Sequence, residues 1–531
     1  MRLLPQTAGS ARHKARWYWG VGLVSCLLYT SASFLQFDTR LSQPWLRGGD
    51  QMYYFVWSHS LAVDGDLDFS NQYAFADQLN NTQNASDSQF LSPGLTPLGR
   101  VVNHYPAGLG FASLPFLYLA RGVATLYGHF AGIRVSPFAA VYPLVHIATQ
   151  TLLSFLGLLI CWHLLRPRYG SRLTLAVILT VFLGTGLGYY TIFSTGYAHT
   201  TGFCLNTLFL FVALRWEKAW KVSVHEKGTG RCSMRISFPM GIILGFAAMI
   251  RNTNAHLALV PMILVLRAAG QTPAFRNRSA VKQAFLALLA AGTGFTLGFL
   301  PQMIAWKNLF GAWLVFSYGT YQNPQVFFYP YPRHLFQILF GREIGLFLWH
   351  PLTLVAVAGL VLAARRKRPL AWAGLATLAA TAWVYGSWGW YDLGFPFGHR
   401  GFVDVSVFFM IGLAELGLRL RTRRCVQKTV WARRITLALV VWNFYLAIAF
   451  RADVQPPVTP WAGTGLVTNW SRERVIQLWH DLPILPGIVF NLRKAHMRAT
   501  ANSPEVKNDP ALQPTPLLYP IFTPAPQNPT E

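Results

Sequence analysis

Apolar residues fall into runs of about 20 that recur from Trp17 to Ile448, separated by short polar or basic stretches. A run of that length crosses the hydrocarbon core of a bilayer as a helix. The pattern predicts spans at roughly 17–36, 138–164, 172–192, 198–215, 237–250, 254–267, 283–305, 345–364, 369–388, 402–420 and 432–451. The expected fold is therefore an all-α polytopic membrane protein with about eleven transmembrane helices. The fifth and sixth runs are short and meet at Arg251-Asn252-Thr253-Asn254, which suits a half-depth hairpin. Gly184-Thr185-Gly186-Leu187-Gly188 resembles a nucleotide-binding turn but sits inside a span with no flanking strand. Gly294 and Gly298 have the spacing of closely packed membrane helices. Both features read as helix packing.

Charge orients these segments. The chain carries 45 Lys and Arg against 19 Asp and Glu, a net charge of +26. Most of the basic residues lie in clusters at Arg2–Arg16, Arg166–Arg172, Arg215–Arg235, Arg267–Lys282, Arg365–Arg368 and Arg419–Arg434. All six face the cytoplasm if the N-terminus is inside, which satisfies the positive-inside rule throughout. The excess charge then addresses anionic lipid headgroups, and no nucleic acid is expected. Hydropathy alone would make Ala107–Tyr127 another span, but that would turn every later basic cluster outward. The segment is expected to be a re-entrant or interfacial helix on the outer face.

Composition agrees: mean hydropathy is +0.32, with 53% hydrophobic and 12% charged residues. The division that follows is a basic cytoplasmic N-terminus (1–16), a transmembrane domain (17–451) whose first outer loop is 37–137, and an outer-face C-terminal segment (452–531). The first apolar run resembles a signal peptide but is long and lacks a clear small-residue cleavage site, so it reads as a retained anchor. Arg472–Arg498 suits a surface helix broken by Pro483 and Pro486, and from Ser503 the Pro-rich chain reads as disordered. Cys26, Cys161 and Cys204 fall in spans and Cys232 and Cys425 in cytoplasmic loops, so neither a disulfide framework nor a metal site is expected. The sequons at Asn80, Asn84 and Asn469 lie on the outer side.

Seven of the 19 carboxylates lie between Asp38 and Asp87, just beyond the first span. Asp50, in RGGDQMYY, follows two glycines that permit a tight turn. It is either the N-cap of a helix or a general base at the membrane surface, where partial desolvation aids proton abstraction. Asp64, Asp66 and Asp68 form DGDLD, a spacing that suits a divalent cation or an acidic turn. Phe75 at the twelfth position excludes a calcium-binding hand. His104, in HYPAG, opens the outer segment, as an interfacial polar residue or a site residue. Arg251, Lys307, Arg333, Arg342 and Arg400 are the few cations near outer span ends. A charge there is costly, so each is expected to be paired or to face phosphate. Arg400, in FPFGHRGFVD below Trp383, Trp388 and Trp390, is the best phosphate candidate, with a snorkelling arginine as its alternative.

Taken in order, an N-terminal span, GD-x-x-YY, SLAVDGDLDFSNQY, HYPAGLGFASLPFLYL, GREIGLFLWHPLTL (341–354) and WGWYDLGFPFGHRGFVD (388–404) resemble the GT-C superfamily of integral-membrane glycosyltransferases. They are similar in particular to bacterial relatives of protein O-mannosyltransferases and of lipid A aminoarabinose transferases. The resemblance covers most of 17–450. It implies transfer of a hexosyl or pentosyl unit from a polyprenyl-phosphate carrier to a glycan, lipid or protein acceptor at the outer face of the bacterial cytoplasmic membrane. Asp50 would be the base, with inversion at the anomeric carbon, and Arg400, His104 and Arg251 would hold the donor phosphate. Tyr53, Tyr54, Asp64, Asp66 and Trp390 would line the substrate and acceptor loop. No cofactor is implied. Where the mannosyltransferases place a glutamate after the aspartate, this chain has Gln51, which leaves the need for a divalent cation open.

Two other classes stay in view: a non-catalytic protein that binds the lipid carrier, and a lipid or solute transporter. A transporter would need polar residues deep in several spans, where Glu415 is the clearest, and the chain shows no internal repeat. No Walker lysine motif, zinc pair or nucleophile elbow is present.

Overall fold

A computed structural model describes residues 20–31, 46, 49–79, 94–225, 231–271, 277–318, 328–341, 343–394, 396–422 and 426–453. Among these the fold is all-α, with isolated bridges at Leu95–Val101 and Phe328–Trp388. In chain order, α1 (Gly20–Ser31) is followed by α2 (Gly49–His59), a π turn (Ser60–Asp64), α3 (Ser70–Leu79) and α4 (Gly108–Ala131). Then come α5 (Val141–Tyr169), α6 (Ser171–Gly184), α7 (Gly186–Ile192), α8 (Ala198–His225) and α9 (Arg231–Ile250). A 3-10 turn (Asn252–Ala258) leads into α10 (Leu259–Gln271), followed by α11 (Arg278–Phe310), α12 (Leu335–Phe340), α13 (Leu346–Trp349), α14 (Leu352–Ala364) and α15 (Pro369–Gly386). A second 3-10 turn (Arg400–Val405) leads into α16 (Ser406–Thr422), and α17 (Val426–Asp453) closes the described chain. Arg342, the three sequons and the C-terminal segment beyond Asp453 lie outside the described residues.

Each expected span contains helix among the described residues, but of the helices described six are long and apolar enough to cross a membrane, or seven if α6 and α7 count as one span, so the count of eleven is not reached by length and composition. Among the others, α14 has only 13 residues. The fifth and sixth spans depart from expectation. Ser233–Ile250 and Asn252–Gly270 both reach crossing length, because α9 begins inside the basic cluster and the 3-10 turn extends α10. The half-depth hairpin is thus replaced by two full helices joined at Arg251, whose extended backbone (φ −149°, ψ 122°) makes the break. The Ala107–Tyr127 segment is the continuous 24-residue α4, about 36 Å long at 1.5 Å per residue, so its length permits a crossing as well as a surface position. It is tied to the π turn by Arg121 Nη1, which donates to Ala62 O at 2.6 Å, and by Tyr118 OH to Leu61 O at 3.2 Å.

Glycine allows the closest helix contact. A Cβ on Gly294 or Gly298 of α11 would lie 2.1 or 2.3 Å from the carbonyl oxygens of Phe238 and Ile242 on α9. Gly241 and Gly245 answer from α9 against Ala291 and Phe295, so the small-residue stripe is two-sided. The glycine run at 184–188 breaks the helix: α6 and α7 are bent by 72°, and Asn443 donates to the freed carbonyls of Leu183 (2.8 Å) and Thr185 (3.3 Å).

The helix interior is more polar than the apolar pattern suggests. Gln150 of α5 donates to Ser113 of α4 at 2.9 Å and accepts from Thr201 of α8, and Asn206 of α8 donates to Asn254 at 3.0 Å. Uncharged side chains that satisfy each other leave no mark on a hydropathy profile. Glu415 accepts from Arg168 (2.6 Å) and Tyr169 (2.8 Å) at the basic ends of α16 and α5. The apolar core divides in two, one part among α5–α17 and one formed by α2, α3 and α4 against α5 and α11. The candidate site lies at their seam.

Candidate active site

α2 opens on Gly49, whose φ of +50° suits a residue without Cβ, and Asp50 stands in its first turn. Positive potential from the unpaired N–H groups at a helix start favours a carboxylate there. Both carboxylate oxygens are held. Tyr105 OH donates to Oδ1 at 2.6 Å, and Arg400 Nη1 lies 2.8 Å from Oδ2. The guanidinium of Arg400 also sits over the Tyr197 ring, 5.2 Å from its centroid. The Asp50 and Arg400 side chains are 18% and 12% exposed, so the pair is only partly desolvated and remains within reach of a ligand.

A second ionic pair stands alongside. Arg251, at the break between α9 and the 3-10 turn, has Nε 3.5 Å from Asp404 Oδ2. Its Nη1 lies 2.8 Å from His199 Nε2, and its Nη2 donates to Tyr385 OH. His199 Nδ1 lies 3.0 Å from Asp404 Oδ1, and Asn206 Nδ2 donates to the Asp404 carbonyl at 3.0 Å. Asp404 is 2% exposed and Arg251 14%. Asp404 therefore fixes Arg251 from within the bundle while the guanidinium stays partly open. Tyr54, itself buried, feels the charges of Asp50, Arg400, Arg251 and Asp404, and burial pushes its phenol up.

The Asn103–Ala107 strip that presents Tyr105 is pinned residue by residue. Asn103 Nδ2 donates to Tyr53 O at 2.8 Å, and its Oδ1 accepts from Tyr105 N at 3.0 Å. Ser317 Oγ donates to His104 O at 2.6 Å, Trp57 Nε1 to Tyr105 O at 3.2 Å, and Ala107 N to Gln302 Oε1 at 2.8 Å. Gly108 then lets α4 start against α9, since a Cβ there would lie 2.4 Å from the Met249 carbonyl. His104 is wrapped by the rings of Tyr53, Tyr105 and Tyr318. Burial pushes its imidazole down to about 3, against the pull of Asp50. It is neutral at physiological pH, and neither ring nitrogen has a hydrogen-bond partner among the described residues. A neutral ring can donate one N–H to a phosphate oxygen but brings no positive charge.

The structure thus brings together Asp50, Arg400, Arg251, His104, Tyr53 and Tyr54. It sets Asp64 and Asp66 apart, beyond the opposite end of α2. Asp64 Oδ2 accepts from Gln72 (2.6 Å) and Asn71 (3.1 Å), Asp66 Oδ1 from Ser60 (2.7 Å), and Asp68 Oδ1 from Ser70 N (3.0 Å) as it caps α3. Here the acidic turn organises its own loop. Among the described residues no group of three or more His, Cys, Asp or Glu is placed to hold a metal ion. Trp390 is 45% exposed, while Trp388 reaches the site through an edge contact with Tyr318 at 5.6 Å. Lys307 donates to Gly311 O, and Arg333 lies over Tyr329, both away from Asp50. Gln51 donates to the carbonyl of Thr195 at 2.8 Å, a bond that a glutamate could not make and that ties α2 to the segment before α8.

Tyr105, Tyr197, His199, Tyr385 and Asp404 escape a reading of the sequence. Tyr105 and Asp404 lie within the HYPAG and FPFGHRGFVD stretches, which is the signal that could have found them.

No family model and no curated protein matches the chain. Among solved structures, the chain is similar to ArnT from Cupriavidus metallidurans, a crystal structure in the apo state. The TM-score is 0.48 at 14% identity, with 92% of this chain and 74% of that chain covered.

Proposed function

We propose that this chain is a GT-C-type membrane glycosyltransferase. It moves a sugar from a polyprenyl-phosphate carrier to a glycan, lipid or protein acceptor at the outer face of the bacterial cytoplasmic membrane. The observation that carries the reading is the pairing of Asp50 with Arg400, with Arg251 beside them. One partly open carboxylate and two guanidiniums converge from positions 50, 251 and 400 of the chain.

The chemistry needs little more. A phosphate leaves readily once its charge is held, so the demands are a base for the acceptor hydroxyl and cations for the departing oxygen. The acceptor oxygen attacks the anomeric carbon and its proton passes to Asp50. The bond from that carbon to the carrier phosphate breaks, and the phosphate leaves with the electron pair onto Arg400 and Arg251. Attack opposite the leaving group inverts the centre. Asp404, His199 and Tyr385 hold Arg251 in place. Neutral His104 adds a hydrogen bond without charge. Tyr53 and Tyr54 form the floor and Trp390 the rim of the acceptor side, and Asp64 and Asp66 maintain the fold of the loop. The protein is multi-pass, with its N-terminus cytoplasmic and its C-terminus outside. No cofactor enters these steps.

The reading is tested with protein in lipid nanodiscs and a panel of radiolabelled polyprenyl-phosphate sugars, with crude envelope material as acceptor. Release of sugar from one of the carriers is the expected outcome. Retention of every sugar on its carrier despite tight binding would replace it with a carrier-binding role.

A further inference from the structure

Asp50 is not free to act as a base in this arrangement. Its Oδ1 is engaged by the hydroxyl of Tyr105, and its Oδ2 by Arg400, at 2.6 and 2.8 Å. A guanidinium donating to a carboxylate oxygen occupies the lone pair that an acceptor hydroxyl would need. The same guanidinium is one of the two proposed to meet a lipid phosphate. Arg400 therefore has two anionic partners and cannot serve both at full strength. The two holds on Asp50 differ in kind. Tyr105 is locked by the contacts of the Asn103–Ala107 strip, whereas Arg400 reaches Asp50 from the end of a long side chain whose guanidinium lies over the Tyr197 ring in the same pose.

We propose that Arg400 is a donor-sensitive latch on Asp50: a lipid phosphate draws the arginine away and unmasks Oδ2, while Tyr105 acts as the positioning residue that keeps the carboxylate in place once the arginine has left. This rests on the reading of the site as a carrier-phosphate site. The base becomes competent only when a donor is bound, which restrains water or a stray hydroxyl from being activated at an empty site. The arginine released from Asp50 carries its full charge to the phosphate, so one side chain links donor binding to base activation.

The latch makes a prediction that runs against intuition. Removing the Asp50 charge frees Arg400, so Asp50→Asn should bind undecaprenyl phosphate at least about tenfold more tightly than wild type, about 1.4 kcal/mol at 25 °C. Simple repulsion between Asp50 and the phosphate would also tighten binding, and the Arg400→Gln background separates the two causes. With a latch, adding Asp50→Asn there gains less than about threefold. With repulsion alone the gain is the same in both backgrounds. Affinity is measured by native mass spectrometry on protein in nanodiscs of zwitterionic lipid doped with undecaprenyl phosphate, with folding checked by thermal denaturation. If Arg400→Gln does not fold, Arg400→Lys takes its place, because its shorter stem and single-point head weaken the contact with Oδ2 while keeping the charge. The expected gain there is again below about threefold. Equal gains in both backgrounds, or no gain in the first, would overturn the latch and leave the glycosyltransferase reading standing. Failure of wild type and Asp50→Asn alike to bind undecaprenyl phosphate would remove the phosphate site itself, and the latch with it. For Tyr105→Phe, undecaprenyl-phosphate affinity should stay within about twofold while turnover falls by about tenfold or more. Unchanged turnover would deny Tyr105 its positioning role.

Discussion

A carboxylate at position 50 and guanidiniums at 251 and 400 come together because each sits at a break in regular helix: the first turn of α2, the extended residue after α9, and the 3-10 turn before α16. At such breaks a side chain can turn out of the helix wall towards one shared site while its backbone stays packed. Arg251 is held by Asp404, His199 and Tyr385, and Asp404 is its charged anchor. Asp404→Asn removes that charge but keeps the shape, so the expected result is a raised KM for the donor with kcat less affected, read from initial rates at varied donor concentration. An unchanged KM would separate Asp404 from the phosphate site. Asp50, Arg251 and Arg400 are legible in sequence because charge near a span end is rare and costly. Tyr105 and Tyr197 are not, since in a chain with 21 tyrosines only a contact across the fold marks which ones matter. The DGDLD acids are prominent in sequence but are consumed in their own turn.

Among the elements, α4 is the one on which the site most depends. Its N-terminal turn is wedged between α2 and α9, where a Cβ on Gly110 would lie 2.4 Å from Trp57 Cβ and one on Gly108 as close to Met249. Neither neighbour is a flexible side-chain tip, so Gly108→Ala and Gly110→Ala should each destabilise by roughly 1–3 kcal/mol, as overpacking does. At Gly122 a Cβ would meet nothing within 4 Å. Alanine should be tolerated there with no loss, helix propensity favouring it by up to about 1 kcal/mol. Thermal denaturation in nanodiscs compares the three, and equal behaviour would show that the wedge is not tight. Helix positions are legible from apolar runs, whereas the true lengths of the fifth and sixth helices are not. Their extra residues include Arg231, Arg235, Asn252 and Gln271, whose polarity ends the apolar run before the helix ends.

On the scale of the whole molecule, the basic clusters and the outer segment imply opposite sides of one bilayer. In a background without the five native cysteines, a cysteine at Arg366 should react with a membrane-impermeant maleimide only from the cytoplasmic side, and one at Leu98 only from the outside. Labelling of both from one side would overturn the orientation. Acid should weaken the fold. Burial pushes His59 down to about 4, and His104 and His399 to about 3, whereas the unfolded chain takes up these protons near pH 6.5. The unfolded state thus binds more protons below about pH 6.5, and stability falls as pH drops from there towards these values. Melting temperature measured from pH 7.5 to 5 should decline, and His104→Gln should flatten the decline. An identical slope would place the acid sensitivity elsewhere.

The central claim is that Asp50 takes the acceptor proton while the arginines hold the carrier phosphate. Single-turnover transfer from a saturating polyprenyl-phosphate sugar, compared between wild type and Asp50→Asn in nanodiscs, tests it most directly. The account predicts a rate lower by about 10²–10⁴-fold in the variant, with the donor still bound. Equal rates would contradict it and remove Asp50 from the chemistry.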